Sequence, residues 1–219
     1  MFPSRFTRFG AGFLILFFTA FLFAGRLLDI PFVSMGWGTE TLQWLYILSM
    51  VIFFLSGVIS AWFSPRVSSQ LRLLIATVLS VSGVYIASFA APGFPAPLYV
   101  GRMLLFSAGA GIAFQTVIFT LSDWFRDRKL LFSILLLVPV IVSLFLAAGP
   151  LRGVFSGKWD WTGIYRLYSL ILGVFTAGGM LILDAPEKES AERSLPVTGM
   201  IVFSLSGVFG IVMNYLLCL

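Results

Sequence analysis

Three arginines interrupt the apolar runs of this sequence, and they are the residues with the clearest chemical potential. Arg26, Arg102 and Arg166 each lie inside such a run. An ionisable side chain inside a bilayer costs about 2.5–3.5 kcal/mol on insertion scales unless it pairs or reaches the interface. A guanidinium that instead faces a central cavity can bind the anionic group of a solute. These arginines are therefore the first candidates for a binding site.

Asp29 follows Arg26 at position i+3, on the same face of a helix. We predict that Arg26 binds the anionic group of a substrate and that Asp29 neutralises or tunes it, which gives Asp29 a role in proton or charge coupling. The alternative is that the helix ends near Gly25 and that Arg26 and Asp29 form an ion pair at the membrane interface. The sequence leaves both alternatives open.

Arg102 and Gln115 complete the predicted substrate-binding set with Arg26. Arg102 lies about four residues inside its run, where it either points into the protein or extends to the outer headgroups. Arg166 is close to Trp161, and we predict that it extends to the headgroups. Gln115 is a neutral hydrogen-bonding residue that either lines the same cavity or bonds across a helix interface.

The absence of histidine and the single cysteine exclude several classes of enzyme. No zinc site of cysteine and histidine, no intrachain disulfide and no nucleophile activated by histidine can be built. A carboxylate-based membrane enzyme needs clustered acids, whereas Asp123 and Asp127 lie among basic residues. We therefore expect no enzymatic activity, no metal and no cofactor.

The composition requires a membrane around these residues. Of the 219 residues 59% are hydrophobic and 11% are charged, and the mean hydropathy is +1.03. A soluble domain carries about 25% charged residues. A membrane-spanning helix needs about 20 apolar residues. Seven such runs are present, separated by short breaks, and they predict an all-α polytopic membrane bundle: Gly10 to Val33, Gln43 to Phe63, Leu71 to Ala91, Leu98 to Leu121, Leu130 to Gly149, Gly163 to Leu183 and Val197 to Leu219.

The basic residues predict the orientation. With a cytoplasmic N-terminus the inner loops hold nine of the 14 lysines and arginines, and the outer loops hold Arg152 and Lys158. This distribution follows the positive-inside rule and indicates a topology signal rather than binding to nucleic acid. The nine inner residues are Arg5, Arg8, Arg66, Arg72, Arg126, Arg128, Lys129, Lys188 and Arg193.

Several motifs give the chain a family resemblance. The fourth run has Arg102 near its outer end, small residues from Ser107 to Gly111, and the step Ser122-Asp123-Trp124-Phe125 into a basic loop. These features resemble the fourth helix of the major facilitator superfamily. Gly149-Pro150 is similar to the end of that family's fifth helix, and Trp159-Asp160-Trp161 is similar to the entry to its sixth. The small residues also predict tight packing of the fourth helix on a neighbour.

The resemblance implies a facilitator-type N-terminal lobe of six helices (1–185), a cytoplasmic linker (186–196) and a seventh helix (197–219). The acidic residue that the family carries between its second and third helices is missing, since Gly57 is followed by Ala61-Trp62-Phe63-Ser64-Pro65-Arg66. In the family this loop is thought to latch the two lobes, so normal gating is in doubt.

The resemblance further implies transport of a small solute by a half-length or truncated secondary transporter, and Arg26 and Arg102 in the first and fourth runs predict that the solute is anionic, such as a carboxylate. Its expected partners are the solute, membrane lipid, and a second lobe or a second copy of the chain, and nucleic acid is not among them. The expected location is the cell (inner) membrane, with the N-terminus in the cytoplasm. The alternative is a membrane scaffold or a degenerate transporter that moves nothing, which the missing acidic residue and the half length favour.

Overall fold

The protein is a bundle of helices in a computed structural model, which describes residues 4–25, 29, 32–33, 36–91, 93–125, 135–148, 160–183 and 197–216. The described residues form helices and turns, with no strand among them. The helices are α1 (Arg5–Thr19, continued by a 3₁₀ turn, Ala20–Ala24), α2 (Thr39–Phe63), α3 (Ser69–Ala87), α4 (a π-helical segment, Leu98–Phe106, continued by the α-helix Ser107–Trp124), α5 (Val138–Ala148), α6 (Trp161–Ile182) and α7 (Val197–Leu216).

The predicted all-α membrane bundle is confirmed. Five helices of the described residues are long and apolar enough to cross a membrane, so the chain is an integral membrane protein: Arg5–Ala24, Thr39–Phe63, Ser69–Ala87, Leu98–Trp124 and Trp161–Ile182. The regular part of the first helix begins earlier and ends earlier than the predicted run from Gly10 to Val33. The fifth helix is described over 11 residues of its predicted run. The predicted linker lies outside the described residues.

Polar residues before three of the helices explain where those helices begin. Ser4 accepts a hydrogen bond from the backbone N–H of Thr7 at 3.2 Å, and Ser68 accepts one from Leu71 at 3.3 Å. Asp160 accepts from the N–H groups at the start of α6, at 3.1 and 3.3 Å. Such caps satisfy N–H groups that have no partner inside the helix.

α4 lies at the centre of the bundle, in contact with α1, α2, α3 and α7. Its small residues allow two neighbours to approach its backbone. A methyl group added to Gly109 would lie 2.7 Å from the carbonyl oxygen of Ala76 in α3, and one added to Gly111 would lie 3.0 Å from the carbonyl carbon of Phe53 in α2. The tight packing predicted from the small-residue patch is confirmed.

α7 packs on the bundle through phenylalanines that face glycines. The ring of Phe203 in α7 lies over Gly57 of α2, and the rings of Phe54 and Phe23 lie over Gly207 and Gly210 of α7. Phe203 also stacks on Phe53, with ring centroids 5.2 Å apart. α7 is thus seated against α2 and the 3₁₀ turn of α1.

Candidate functional site

Arg102 lies in the π-helical segment at the start of α4, between Leu98 and Phe106. The hydroxyl of Ser107 donates to the carbonyl oxygen of Arg102 at 3.0 Å, five residues back along the chain. π-helical turns are rare and occur frequently at functional sites, because the wider turn changes the direction of a side chain and frees backbone groups. The local geometry therefore marks Arg102 before its contacts are considered.

The residue before Arg102 is Gly101, and its close approach to α3 fixes the orientation of the π-helical segment. A methyl group on Gly101 would lie 2.5 Å from the backbone nitrogen of Ala87 and from the carbonyl oxygen of Gly83, both in α3. The two backbones are therefore close enough to exclude any side chain at this point. The face of α4 that carries Gly101 is held against α3, and Arg102 points elsewhere.

Arg102 points to the end of α1, where it finds two acceptors. Its Nη2 donates to the carbonyl oxygen of Gly25 at 2.9 Å, and its Nη1 donates to Oδ1 of Asp29 in a buried ion pair. The backbone N–H of Asp29 also donates to Gly25, at 3.0 Å, so Gly25 is shared by both partners. Arg102 is 2% exposed and Asp29 is buried as well. A charge at this depth is tolerated because it is paired and hydrogen-bonded.

Aromatic side chains surround the pair. A methyl group on Gly25 would lie 2.6 Å from Cε2 of Tyr46, and the Tyr46 hydroxyl donates to the carbonyl oxygen of Phe23 at 3.4 Å. Tyr165 of α6 is buried and lies close enough to Arg102 and Asp29 to interact with both charges electrostatically. It also belongs to an aromatic cluster with Phe32 and Trp161, whose ring centroids lie 5.2–6.2 Å apart. Tyr165 thus links this aromatic cluster to the ion pair.

One N–H donor of the Arg102 guanidinium is available to bind a further acceptor. Nε of Arg102 is buried and has no hydrogen-bond partner among the described residues. Arginine presents its donors in a planar fork that matches the two oxygens of a carboxylate. The site can therefore hold a carboxylate of the protein, as it does with Asp29, or an anionic group of similar shape.

The predicted site residues fall into different places. Arg102 and Asp29 are brought together, whereas Arg26 lies outside the described residues. Gln115 lies 13 residues further along α4, roughly 20 Å away at 1.5 Å per residue. Arg166 is exposed, and its guanidinium lies 5.2 Å from the ring centre of Phe89.

Two arginines that we predicted in inner loops are buried in helices instead. Arg72 lies in the first turn of α3 and donates from Nη1 to Oε1 of Gln115 at 3.0 Å. Arg8 lies in α1, and its guanidinium lies 3.8 Å from the centre of the Trp124 ring. Charge counting assigned both to loops, although Arg72 also falls within the predicted third run and could have been recognised there.

The comparisons with known proteins leave the family open. No protein-family model and no curated protein matches this chain. The resemblance to the major facilitator superfamily therefore stays a prediction that depends on the motifs in and around α4. Within the described part of the chain, no three side chains of histidine, cysteine, aspartate or glutamate come together in a group that could bind a metal.

Proposed function

We propose that this chain takes part in the transport of a small anionic solute across a membrane, as one lobe of a facilitator-type secondary transporter. The observation that carries the proposal is the buried ion pair between Arg102 and Asp29 inside a membrane-spanning bundle. Ionisable residues in such a position are rare and commonly mark solute or proton pathways. The π-helical turn around Arg102 and its unpartnered Nε support the same conclusion.

In this proposal Asp29 holds the guanidinium until the solute arrives. A carboxylate of the solute would replace the Asp29 carboxylate on Arg102, and Asp29 would take up a proton from the aqueous phase as it loses the guanidinium, so the net charge of the site would stay the same. Adding an anion to an already neutral pair would instead leave one negative charge unpaired in a buried site, which is costly. The exchange therefore favours a solute whose anionic group matches a carboxylate in size and geometry.

Transport of this type also needs a second lobe. Secondary transporters of the proposed class expose a midplane site alternately to each side by rocking one lobe against another. We propose that the second lobe comes from another copy of this chain, from another chain, or from further sequence. The proposed setting is the cell membrane, with the N-terminus in the cytoplasm, as the distribution of positive charges indicates.

Uptake by protein reconstituted into liposomes tests the proposal. Radiolabelled lactate, succinate and citrate serve as probes with one, two and three carboxylates. We expect uptake of at least one of them, a loss of uptake in Arg102→Ala, and at least a tenfold loss in Arg102→Lys, since lysine keeps the charge but cannot bridge Gly25 and a carboxylate as the planar fork does. Arg166→Lys is the matched control, because Arg166 is an exposed arginine, and it should retain the wild-type rate. Unchanged uptake by folded Arg102→Lys would refute the site.

A non-transporting scaffold is the second candidate, and one observation favours it. Two of the guanidinium nitrogens of Arg102 already have acceptors, both from residues that follow α1, so the pair ties this part of the chain to α4 without any ligand. In that case no probe would be taken up by the wild type, and Arg102→Lys would lower stability without affecting any flux. The uptake experiment separates the two candidates where a second copy of this chain supplies the second lobe.

A further inference from the structure

A second polar cluster lies inside the bundle, further along α4 than Arg102. It consists of Ser60 from α2, Arg72 from α3, and Gln115 and Thr116 from α4, which we call the Gln115 cluster. None of these residues is more than 6% exposed. Three helices that are separate along the chain therefore direct polar side chains to one buried point.

The contacts of Gln115 fix which way its amide faces. Oε1 accepts a hydrogen bond from the Ser60 hydroxyl at 2.6 Å and another from Nη1 of Arg72 at 3.0 Å. A rotation of the amide by half a turn would place N–H groups against the guanidinium and remove an acceptor from Arg72. The amide nitrogen must therefore face away from these donors.

The amide nitrogen of Gln115 is left without an acceptor. Nε2 is buried and has no hydrogen-bond partner among the residues that the structure describes. Buried polar groups are almost always hydrogen-bonded, and a buried exception requires an explanation. The cluster thus contains a buried N–H donor that still needs an acceptor. The guanidinium of Arg72, which donates to the oxygen of the same amide, lies beside it.

We propose that the Gln115 cluster binds the carboxylate of a small anion. One carboxylate oxygen would accept from Nε2 of Gln115, and the positive charge of Arg72 would stabilise the anion. The cluster would then be a second binding point on α4 for the class of solute that Arg102 binds. Its role in transport rests on the proposed function, but the binding itself is measured separately.

Thermal unfolding of the purified protein in detergent tests the proposal, with formate as the probe. Sodium formate is titrated against sodium gluconate at the same concentration, because gluconate matches the ionic strength and carries one carboxylate on a much larger anion. We expect formate to raise the unfolding midpoint of the wild type above its value in gluconate. Arg166→Gln is the matched control and should keep the response. Equal midpoints in the two salts would overturn the proposal.

Substitution of Gln115 shows where formate binds. Gln115→Glu changes the shape of the side chain little and places a carboxylate oxygen where Nε2 stood, so the protein carries its own anion next to Arg72. We expect this variant to fold and to lose at least about tenfold in apparent affinity for formate. Gln115→Met, which removes both the amide oxygen and the amide nitrogen, should lose the response as well. A wild-type response in folded Gln115→Glu would refute the assignment.

A last variant separates this cluster from the site at Arg102. Arg102→Lys should keep the part of the formate response that depends on Gln115, whereas a response that is lost in Arg102→Lys and kept in folded Gln115→Glu would assign formate to Arg102 and overturn the inference. A formate response that depends on Gln115, together with no uptake of any probe by reconstituted wild type, would leave the binding site standing while the transport proposal fails.

Discussion

The ion pair between Arg102 and Asp29 should respond unequally to the loss of its two partners. Asp29→Asn leaves a buried guanidinium whose hydrogen-bond acceptors, among the residues that the structure describes, are the carbonyl oxygen of Gly25 and the amide oxygen of the new asparagine. Arginine cannot lose its proton in a protein, so the positive charge stays. Removal of one partner of a buried pair typically costs about 3–5 kcal/mol. We expect Asp29→Asn to lower the free energy of unfolding by that amount.

Arg102→Met should lower the free energy of unfolding by less than Asp29→Asn does. A carboxyl group that has lost its partner can become neutral by binding a proton, whereas a guanidinium stays charged. Protonation of an ordinary aspartate at pH 7 costs about 4 kcal/mol, and this cost falls by about 1.4 kcal/mol for each pH unit. The charge penalty in Arg102→Met therefore has a ceiling of about 4 kcal/mol at pH 7 and about 1.5 kcal/mol at pH 5. Asp29→Asn has no such ceiling and should remain equally destabilised at both pH values.

Reversible unfolding in mixed micelles, followed by tryptophan fluorescence at pH 7 and pH 5, measures these differences. The double variant should be much more stable than the sum of the two single changes predicts, since it leaves no unpaired charge. Arg166→Met, at an exposed arginine, should change the stability by less than about 1 kcal/mol. A loss below about 1 kcal/mol in Asp29→Asn, or additive single changes, would show that the two charges do not form a buried pair.

Two further predictions concern packing and topology. Gly101→Ala should lower the free energy of unfolding by about 1–3 kcal/mol, because its methyl group would meet backbone atoms of α3. Gly178→Ala, with nothing within 4 Å of the added methyl group, should change it by less than about 1 kcal/mol. Thermal unfolding compares the two variants, and equal midpoints would contradict the close contact. In a Cys218→Ser background, an impermeant maleimide should label Phe94→Cys on intact cells and Pro65→Cys only after permeabilisation, and the reverse pattern would invert the predicted orientation.

The fold could be predicted from the sequence because a bilayer imposes a simple requirement. A spanning helix must satisfy its backbone internally and present apolar side chains for its whole length, so long apolar runs identify the helices. The predicted ends of the helices were less accurate. α1 gives way to a 3₁₀ turn at Ala20, within a stretch that is still apolar, and hydropathy does not distinguish the two kinds of turn.

Only part of the candidate site could be predicted, because its contacts join residues that lie far apart along the chain. Arg102 could be selected because it interrupts an apolar run. Its pairing with Asp29 could not, since the two residues are 73 positions apart along the chain and no local pattern joins them. Spacing along one helix suggested Arg26 as the partner of Asp29. Likewise, the contacts of Gln115 with Ser60 and Arg72 span 55 and 43 residues, and no local pattern predicts them.

The glycine contacts of α4 explain why its two polar points can be held at defined places within an apolar bundle. In a membrane, apolar side chains gain little by leaving lipid for another helix, so the rotation of a helix depends on shape and on polar contacts. Gly101 and Gly109 press α4 against α3 at two levels, with no room for even a methyl group. With its rotation set in this way, α4 presents Arg102 to the end of α1 and Gln115 to Arg72. A loss of rotational fit should therefore disturb both polar points together, although roughly 20 Å separates them.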